Sequence, residues 1–497
     1  MIKMTIPLVG LSLFLAGCGQ YREYTPPDPP TGLNETDFST IDAGRFKASQ
    51  PVAGWWEKLG DNTLNKLVQD GITNNPDVQI ALTNVLEARA LSRETKLDRF
   101  PTIQAFFDYR RQKLTEEGIT FSLADPTFNT YETGFDLSWE IDLFGRVSNR
   151  IDALKAQDQA RLADYRGALV AVTAEIASAY IDLRGAQYRL KIARQNAANQ
   201  EKTYNLTQTL LQGGSATSLD VARAKTQLDL TQASIPPLES ETKAAIFRLS
   251  VLTGKVPNAL EDMLSEKQPL PTLPESVGVG TPEELLRRRP DIRAAERGLA
   301  ASVSEYNIAV ADLFPSVTIL GSIGFSATSL SNYQVDEAVT YSVGPSIRWA
   351  AFDLGRVYAR IDQEDAASFR ALKNYENTVL EALEEVQNAL TVFTNEEKRM
   401  RKLRDAAQSS AQAANLARRR FEAGIDNFID VLDAERTQLE AQDALAVSET
   451  QTARNIVEIY RALGGGWDHI AAPDALPNAN SGQWKGLNVS SPLAQKD

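Results

Sequence analysis

Tyr131–Arg150 reads YETGFDLSWEIDLFGRVSNR, and within these twenty residues the period of the apolar positions changes. Up to Ile141 the period is two. Tyr131, Thr133, Phe135, Leu137, Trp139 and Ile141 alternate with Glu132, Gly134, Asp136, Ser138, Glu140 and Asp142. That is a strand with one apolar face and one acidic, polar face. From Arg146 the period becomes seven: Leu162, Leu169, Ile176, Leu183, Leu190, Ala197, Tyr204 and Leu211, with Tyr165, Val172, Ala179, Ala186 and Ala193 three residues on from the first five. No Pro interrupts 146–212, so the stretch predicts a long helix with a coiled-coil seam whose small residues permit close approach. A strict seven-residue period implies left-handed supercoiling. Some 65 residues at about 1.5 Å each make a rod of roughly 100 Å.

The pattern occurs twice. Trp139 pairs with Trp349, Gly145-Arg146-Val147 with Gly355-Arg356-Val357, Gly214 with Gly424 and Gly254 with Gly464, all 210 residues apart. Asn75-Pro76-Asp77 and Phe100-Pro101 recur as Arg289-Pro290-Asp291 and Phe314-Pro315 at an offset of 214, so the spacing changes by four residues between Phe-Pro and Trp. In the second copy Tyr341, Val343, Ile347 and Trp349 alternate with Ser342, Gly344, Ser346 and Arg348. The later heptads are Leu372, Val379, Val386, Phe393, Met400, Ala407, Ala414 and Phe421. A repeat of this length sets the architecture: each half is a β-hairpin feeding a helical hairpin. Each rod ends at Gly, where a C-cap turn is easy. The return helix of the first half meets Ile235-Pro236-Pro237 and should kink or break there. Ala446 and Val447 at the matching places impose no such break.

The chain has 497 residues and a formal charge of −13, which argues against a nucleic-acid partner. Arg287-Arg288-Arg289 is the main basic run, and beside Pro290 it reads as a solvated loop. The start, MIKMTIPLVGLSLFLAGCGQ, has the shape of a secretory signal, too short for a permanent helical span. Leu15-Ala16-Gly17-Cys18 resembles a bacterial lipobox, with the alternative of an ordinary signal peptide and a chance Cys. Cleavage before Cys18 removes Lys3 and leaves a mature charge of −14. The only Cys excludes an internal disulfide. The Pro-rich segment after it suits an extended tether.

Strands of about ten residues tipped with Trp, Tyr and Phe match outer-membrane barrel strands, with Tyr131, Trp139, Tyr341 and Trp349 as interface aromatics. Four strands cannot close a barrel. Two chains give eight, whose interior side chains fill, whereas three give twelve and a lumen. The expectation is a homotrimer with its acidic strand face toward water and its Trp face toward lipid. A soluble sheet beside a coiled coil is the alternative on periodicity alone.

The motifs WWEKLGD (55–61), NNPDVQIAL (74–82), FPTI, FPSV, WEIDLFGR (139–146), RRPDIRAAE (288–296), FDLGR (352–356) and GIDNFIDVLDAERTQL (424–439) occur in order. Over about 50–467 the chain resembles the TolC-like outer membrane factors, closest to the lipoprotein branch serving RND-type multidrug efflux pumps. The resemblance implies a mixed α and membrane-β fold: a trimeric twelve-stranded barrel continued by a periplasmic α-helical barrel, with a small mixed domain at the waist. It also implies a passive exit duct that docks onto a periplasmic adaptor and, through it, an inner-membrane transporter. Its expected parts are a signal peptide at 1–17, a tether and waist segment at 18–53, a first repeat at 54–254, a waist linker at 255–280, a second repeat at 281–464 and a tail at 465–497. Strands are expected at about 102–110, 131–142, 316–325 and 341–351, and helical hairpins at about 146–253 and 356–463.

No catalytic constellation appears. His469 is the only His, and with one distant Cys it supports neither a metal site nor a nucleophile pair. No cofactor is expected beyond covalent lipid on Cys18, and outer-membrane lipid is an expected partner. The glycine clusters at 278–280 and 464–466 lack the strand–GxGxxG–helix context of a nucleotide site.

The two rod tips differ in charge. LQGGSATSLDVARAKTQL (211–228) carries Asp220, Arg223 and Lys225, whereas FEAGIDNFIDVLDAERTQ (421–438) carries Glu422, Asp426, Asp430, Asp433, Glu435 and Arg436. In a threefold tube, Asp430 and Asp433 would place six carboxylates around one constriction, and rings of Asp favour cations. Ile429 would add an apolar ring and Arg436 a bridge to the neighbouring helix; Asp426 completes the expected gate. The resemblance places closure at this periplasmic end, and adaptor docking is expected at the tips, through Gly213, Gly214, Ser215, Gly424 and Ile425. Two other readings fit part of the pattern: a duct for peptide or protein secretion, and a tethering coiled-coil lipoprotein.

Overall fold

The computed structural model describes residues 21–28, 38, 44–50, 52–113, 127–329, 336–468 and 470. Two compact units are drawn from interleaved segments: 1–28, 85–161 and 294–376 form one, and 29–84, 162–293 and 377–497 the other.

The first unit contains a four-stranded antiparallel sheet of β1 (Thr102–Lys113), β2 (Thr127–Ile141), β3 (Ser316–Ala327) and β4 (Val339–Arg348), in that order. The expected strand 341–351 ends sooner, at Arg348, so Trp349 lies just past it. The register carries the two-residue alternation across all four strands. Ile103, Leu137, Gly321 and Val343 form one row, and Ala105, Phe135, Ile323 and Tyr341 the next, on a single face. Gln104, Asp136, Ser322 and Ser342 form a row on the other, where Phe106, Phe128 and Leu320 are apolar exceptions. Ile103, Phe107, Phe135, Ile323, Tyr341, Val343 and Ile347 are exposed in the single chain. An apolar sheet face left open is a surface made for another phase or another chain.

β2 and β3 belong to different repeats, and they pair with Gly134 opposite Gly324. A Cβ on Gly324 would lie 2.1 Å from the Thr133 carbonyl oxygen, and one on Gly134 would lie 2.4 Å from that of Ile323. Only glycine permits this approach. The repeats also share an anchoring bond: Trp139 Nε1 donates to the Arg99 carbonyl at 3.1 Å, and Trp349 Nε1 to the Leu313 carbonyl at 2.9 Å. Asp142 does not join the acidic face as expected. It lies beyond the end of β2 and accepts from the Val147 and Ser148 amides at 3.0 and 2.9 Å, capping the next helix. The four-residue difference between repeats falls in the connections between paired strands, most of which lie outside the described residues.

Residues 21–24 of the expected tether are held against the helices. Arg22 donates its amide to Asn307 Oδ1 and accepts from Asn307 Nδ2, both at 2.8 Å, and its guanidinium meets Asp365 at 2.6 Å. Tyr21 donates to the Phe144 carbonyl at 2.5 Å, and Tyr24 bonds Glu296. Two tyrosines and an arginine supply enough side-chain bonds to hold this short stretch on the helices.

The long helices are α3 (Arg146–Gln212) and α7 (Leu354–Glu422), of 67 and 69 residues. Their heptad seams are largely buried, with Leu169, Ile176, Leu183, Val379, Val386 and Phe393 at 1% exposure or less. Return helices are α4 (Ser218–Ala233), α5 (Ile235–Leu252) and α8 (Phe428–Ala462). The first return breaks at Ser234 with Pro236 in the first turn of α5, whereas α8 runs 35 residues unbroken. Shorter helices α1 (Asn62–Asn74) and α2 (Pro76–Lys96) precede the first hairpin, and α6 (Pro290–Ala311) the second.

In the second unit Phe46–Lys47 pairs in parallel with Val277–Gly278. Fully buried Trp55 stacks on Tyr460, ring centroids 5.0 Å apart. The Arg287–Arg289 run is not a solvated loop: Arg288 ends a short helix, Pro282–Arg288, and Arg289 is only 8% exposed. Its guanidinium is held by Asp291 at 2.6 Å, Glu385 at 2.8 Å and the Ala462 carbonyl at 2.8 Å. A cation next to Pro looked solvated because two of those partners, Glu385 and Ala462, come from distant parts of the chain.

Candidate gate at the helical-hairpin tips

Both tip turns are built alike. In the first, Gly214 has φ +74° and Ser215 donates to the Leu210 carbonyl at 2.8 Å; in the second, Gly424 has φ +71° and Ile425 donates to Arg420 at 2.9 Å. The glycine supplies the left-handed residue, and the amide after it reaches back over the last helical turn. Gly213, Gly214, Ser215, Gly424 and Ile425 are all exposed. The entries to the return helices differ. Thr217 and Asp220 form a reciprocal capping box, and the Thr217 hydroxyl and amide hold Asp220 below the usual carboxylate range. Asn427 caps α8 with no side-chain bond.

Beneath the tips, Ala224 of α4 packs with Phe428 and Val431 of α8, flanked by Tyr204, Ala417, Phe421 and Leu432. Phe421 and Phe428 lie 5.3 Å apart. This apolar seam turns the opposite face of α8 outward and exposes Ile429, Asp430, Asp433 and Arg436. Four of the five expected gate residues therefore share one face. Asp426 does not. It closes the turn through a two-pronged pair with Arg420, at 2.6 and 2.8 Å, which depresses its carboxyl pKa. Among the described residues Arg436 bridges to no other helix: it pairs with Asp433 at 2.6 Å and Glu440 at 3.9 Å along α8 itself. A three- or four-residue spacing puts those carboxylates within easiest reach. Asp430 makes no ion pair among the described residues, though Arg420 lies near enough to feel its charge.

Sequence reasoning missed the bonds that hold α8 in place. Glu435 is only 4% exposed, accepts from Thr203 at 2.9 Å and pairs with Arg418 at 2.8 Å. Asn196 bonds Gln442 at 2.9 Å, Arg189 pairs with Asp443 at 2.8 Å, and Arg454 reaches Asp182 at 3.3 Å. Asp182, Arg189, Asn196 and Thr203 recur every seven residues, one place before the apolar column of α3. They form a polar ladder joining α3 to α8. The Asp182 carboxyl is pushed up by burial, against the pull of Arg454. A signal existed at Glu435, which follows Phe428 and Val431 in seam spacing and so needed a buried partner.

Tyr131 and Trp139 are half-buried, while Tyr341 and Trp349 are 80% and 53% exposed. Cys18 and His469 lie outside the described residues. Among the described residues no group of His, Cys, Asp and Glu is arranged to hold a metal.

A family model described as outer membrane efflux protein matches residues 67–255 and 281–465. Outer membrane protein OprJ of Pseudomonas aeruginosa is 31% identical over 459 residues, covering 92% of this chain and 95% of its own length. The toluene efflux pump outer membrane protein TtgC of Pseudomonas putida is 28% identical over 484 residues, with 94% and 96% covered. Among solved structures, the outer-membrane channel OprN aligns with a TM-score of 0.83 and 39% identity, covering 91% of this chain and 99% of OprN.

Proposed function

The chain belongs to the outer membrane efflux protein family, and from that premise we propose that the exposed face of α8 is the gate of its duct. The protein is an outer-membrane channel component of a tripartite efflux pump, exporting drugs and toxic compounds. Its relatives are named as channels and pump components, not enzymes.

The observation that carries the reading is the sheet. It has one apolar face, one polar face and, within the single chain, two open edges, β1 and β4. Long open edges bind other strands. Head-to-tail pairing of β4 with β1 of the next copy closes after three copies into twelve strands, wide enough to conduct. In that homotrimer the row of Asp108, Glu132 and Ser326 faces water, and the Phe135–Ile323 row faces lipid. The proposal includes covalent lipid on Cys18, a periplasmic adaptor docked at the two exposed turns, and an RND-type transporter behind it. Adaptor docking moves α8 off α3 by exchanging the polar ladder for water, a smaller cost than parting an apolar seam.

Single-channel recording in planar bilayers tests the gate. Asp430→Ala with Asp433→Ala should raise closed-state conductance and reduce preference for cations. Unchanged conductance and selectivity would sink the gate assignment while leaving the duct intact.

A further inference from the structure

Arg184 of α3 is fully buried, yet it has no carboxylate partner among the described residues. Its guanidinium lies 4.8 Å from the Tyr180 ring centroid and donates to Gln187 Oε1 at 2.8 Å, the Glu266 carbonyl at 2.7 Å and Gln268 Oε1 at 3.4 Å. Its Nε has no partner among the described residues. Asp61, which this network reaches through Tyr180, is already engaged: Oδ1 caps α1, and Oδ2 accepts the Tyr180 hydroxyl at 2.6 Å. A buried charge without a counter-ion is costly, so an anion placed nearby is stabilising.

Gln187 and Gln268 also line a cavity of about 540 Å³ between α3, α7 and α8. One wall is the stretch 267–273, tied down at both ends. Arg184 and Gln187 hold the Glu266 and Leu264 carbonyls on one side, and the Thr272 amide donates to the Leu59 carbonyl at 3.2 Å on the other. Between these points Pro269 and Pro271 fix the backbone, so the wall keeps its shape. Tyr188, Leu270 and Met400 give the cavity an apolar lining. Arg404 and Glu449 line it too and neutralise each other at 3.0 Å. Lys191 and Lys267, exposed at its rim, make no ion pair among the described residues. The surplus of charge is therefore positive, from two lysines in front and Arg184 behind.

We propose that this cavity is a binding site for a small organic acid, a carboxylate carried on a compact apolar body. Its size is that of a small-molecule pocket. The apolar lining takes the body, and the cations take the carboxylate in charge-assisted hydrogen bonds. Glu449 lies beyond Arg436 along α8, so the site shares no residue with the gate and each assignment can fail without the other.

The test uses the full-length protein in non-ionic detergent and three probes that share one apolar cage: adamantanecarboxylate, neutral adamantanemethanol and cationic adamantanemethylamine. Binding is read by isothermal titration calorimetry at low salt, where exposed charges are least screened. The carboxylate should bind, the alcohol about tenfold more weakly, and the amine not at all. Lys191→Gln with Lys267→Gln should weaken the carboxylate about tenfold and leave the alcohol unchanged. Leu270→Gln should weaken both. Equal signals from all three probes mean partition into the micelle and overturn the proposal, as does a wild type that binds none of them. Acetate bound as tightly as adamantanecarboxylate also overturns it, by assigning the cavity to any small anion. So does equal affinity in the wild type and the lysine variant. Where that variant does not fold, the order of the three probes on the wild type decides.

Discussion

At Glu435 one carboxylate holds three helices. Its own is α8, Thr203 is on α3 and Arg418 on α7, and Glu435 sits against the apolar seam of Phe428 and Val431. Removing it strands a hydroxyl and a guanidinium near the core. Arg418 is 31% exposed, so water replaces part of the loss. Glu435→Ala should destabilise the tip by about 1–3 kcal/mol, and Glu435→Gln by less because the amide still reaches Thr203. Thermal unfolding of detergent-purified protein checks this, and a larger loss for Gln than for Ala would refute the account. Sequence alone left Glu435 among six charges of one segment. Asp426, Asp430 and Asp433 look equivalent to it as letters, yet one clamps a turn, one makes no ion pair among the described residues and one faces its own arginine. What separates them is the seam, and the seam depends on helices contributed by the other repeat.

Elements were more legible than residues, because backbone periodicity needs no knowledge of partners. The two-residue alternation marked the faces that β2 and β4 present, and the seven-residue column marked the buried side of α3 and α7. The Pro-interrupted return helix is two helices. The polar ladder was hidden for a physical reason: Asp182, Arg189, Asn196 and Thr203 read as the hydrated side of a rod until their partners on α8 are in place. Close approach was hidden too. Gly134 and Gly324 look like ordinary interruptions in their strands, but each leaves room for the opposite backbone. Gly324→Val should cost about 1–3 kcal/mol by forcing β2 and β3 apart. The fraction of protein that resists heating in gel shift should fall accordingly, and Gly344→Val, where a Cβ meets nothing within 4 Å, should leave it unchanged. Equal behaviour of the two variants would remove the close-approach argument.

For the whole molecule, the duplication, the open sheet edges and the three copies that would give a lumen all support the proposed homotrimer. Detergent-solubilised protein should have a mass of three chains after subtraction of the micelle, and particle images should show threefold symmetry. A two-chain particle would leave eight strands and no conducting interior. The four-stranded sheet joins its two repeats at β2 and β3 inside one chain, and in the proposed homotrimer this would give the ring two kinds of seam in alternation. The inner seam closes unimolecularly, at a rate and with a stability indifferent to how much protein is present. The outer seam, β4 to β1 of the next copy, obeys mass action. Lesions on the two seams therefore part company on dilution: damage at Gly324 persists at any expression level, whereas damage at the outer edges is rescued by making more protein.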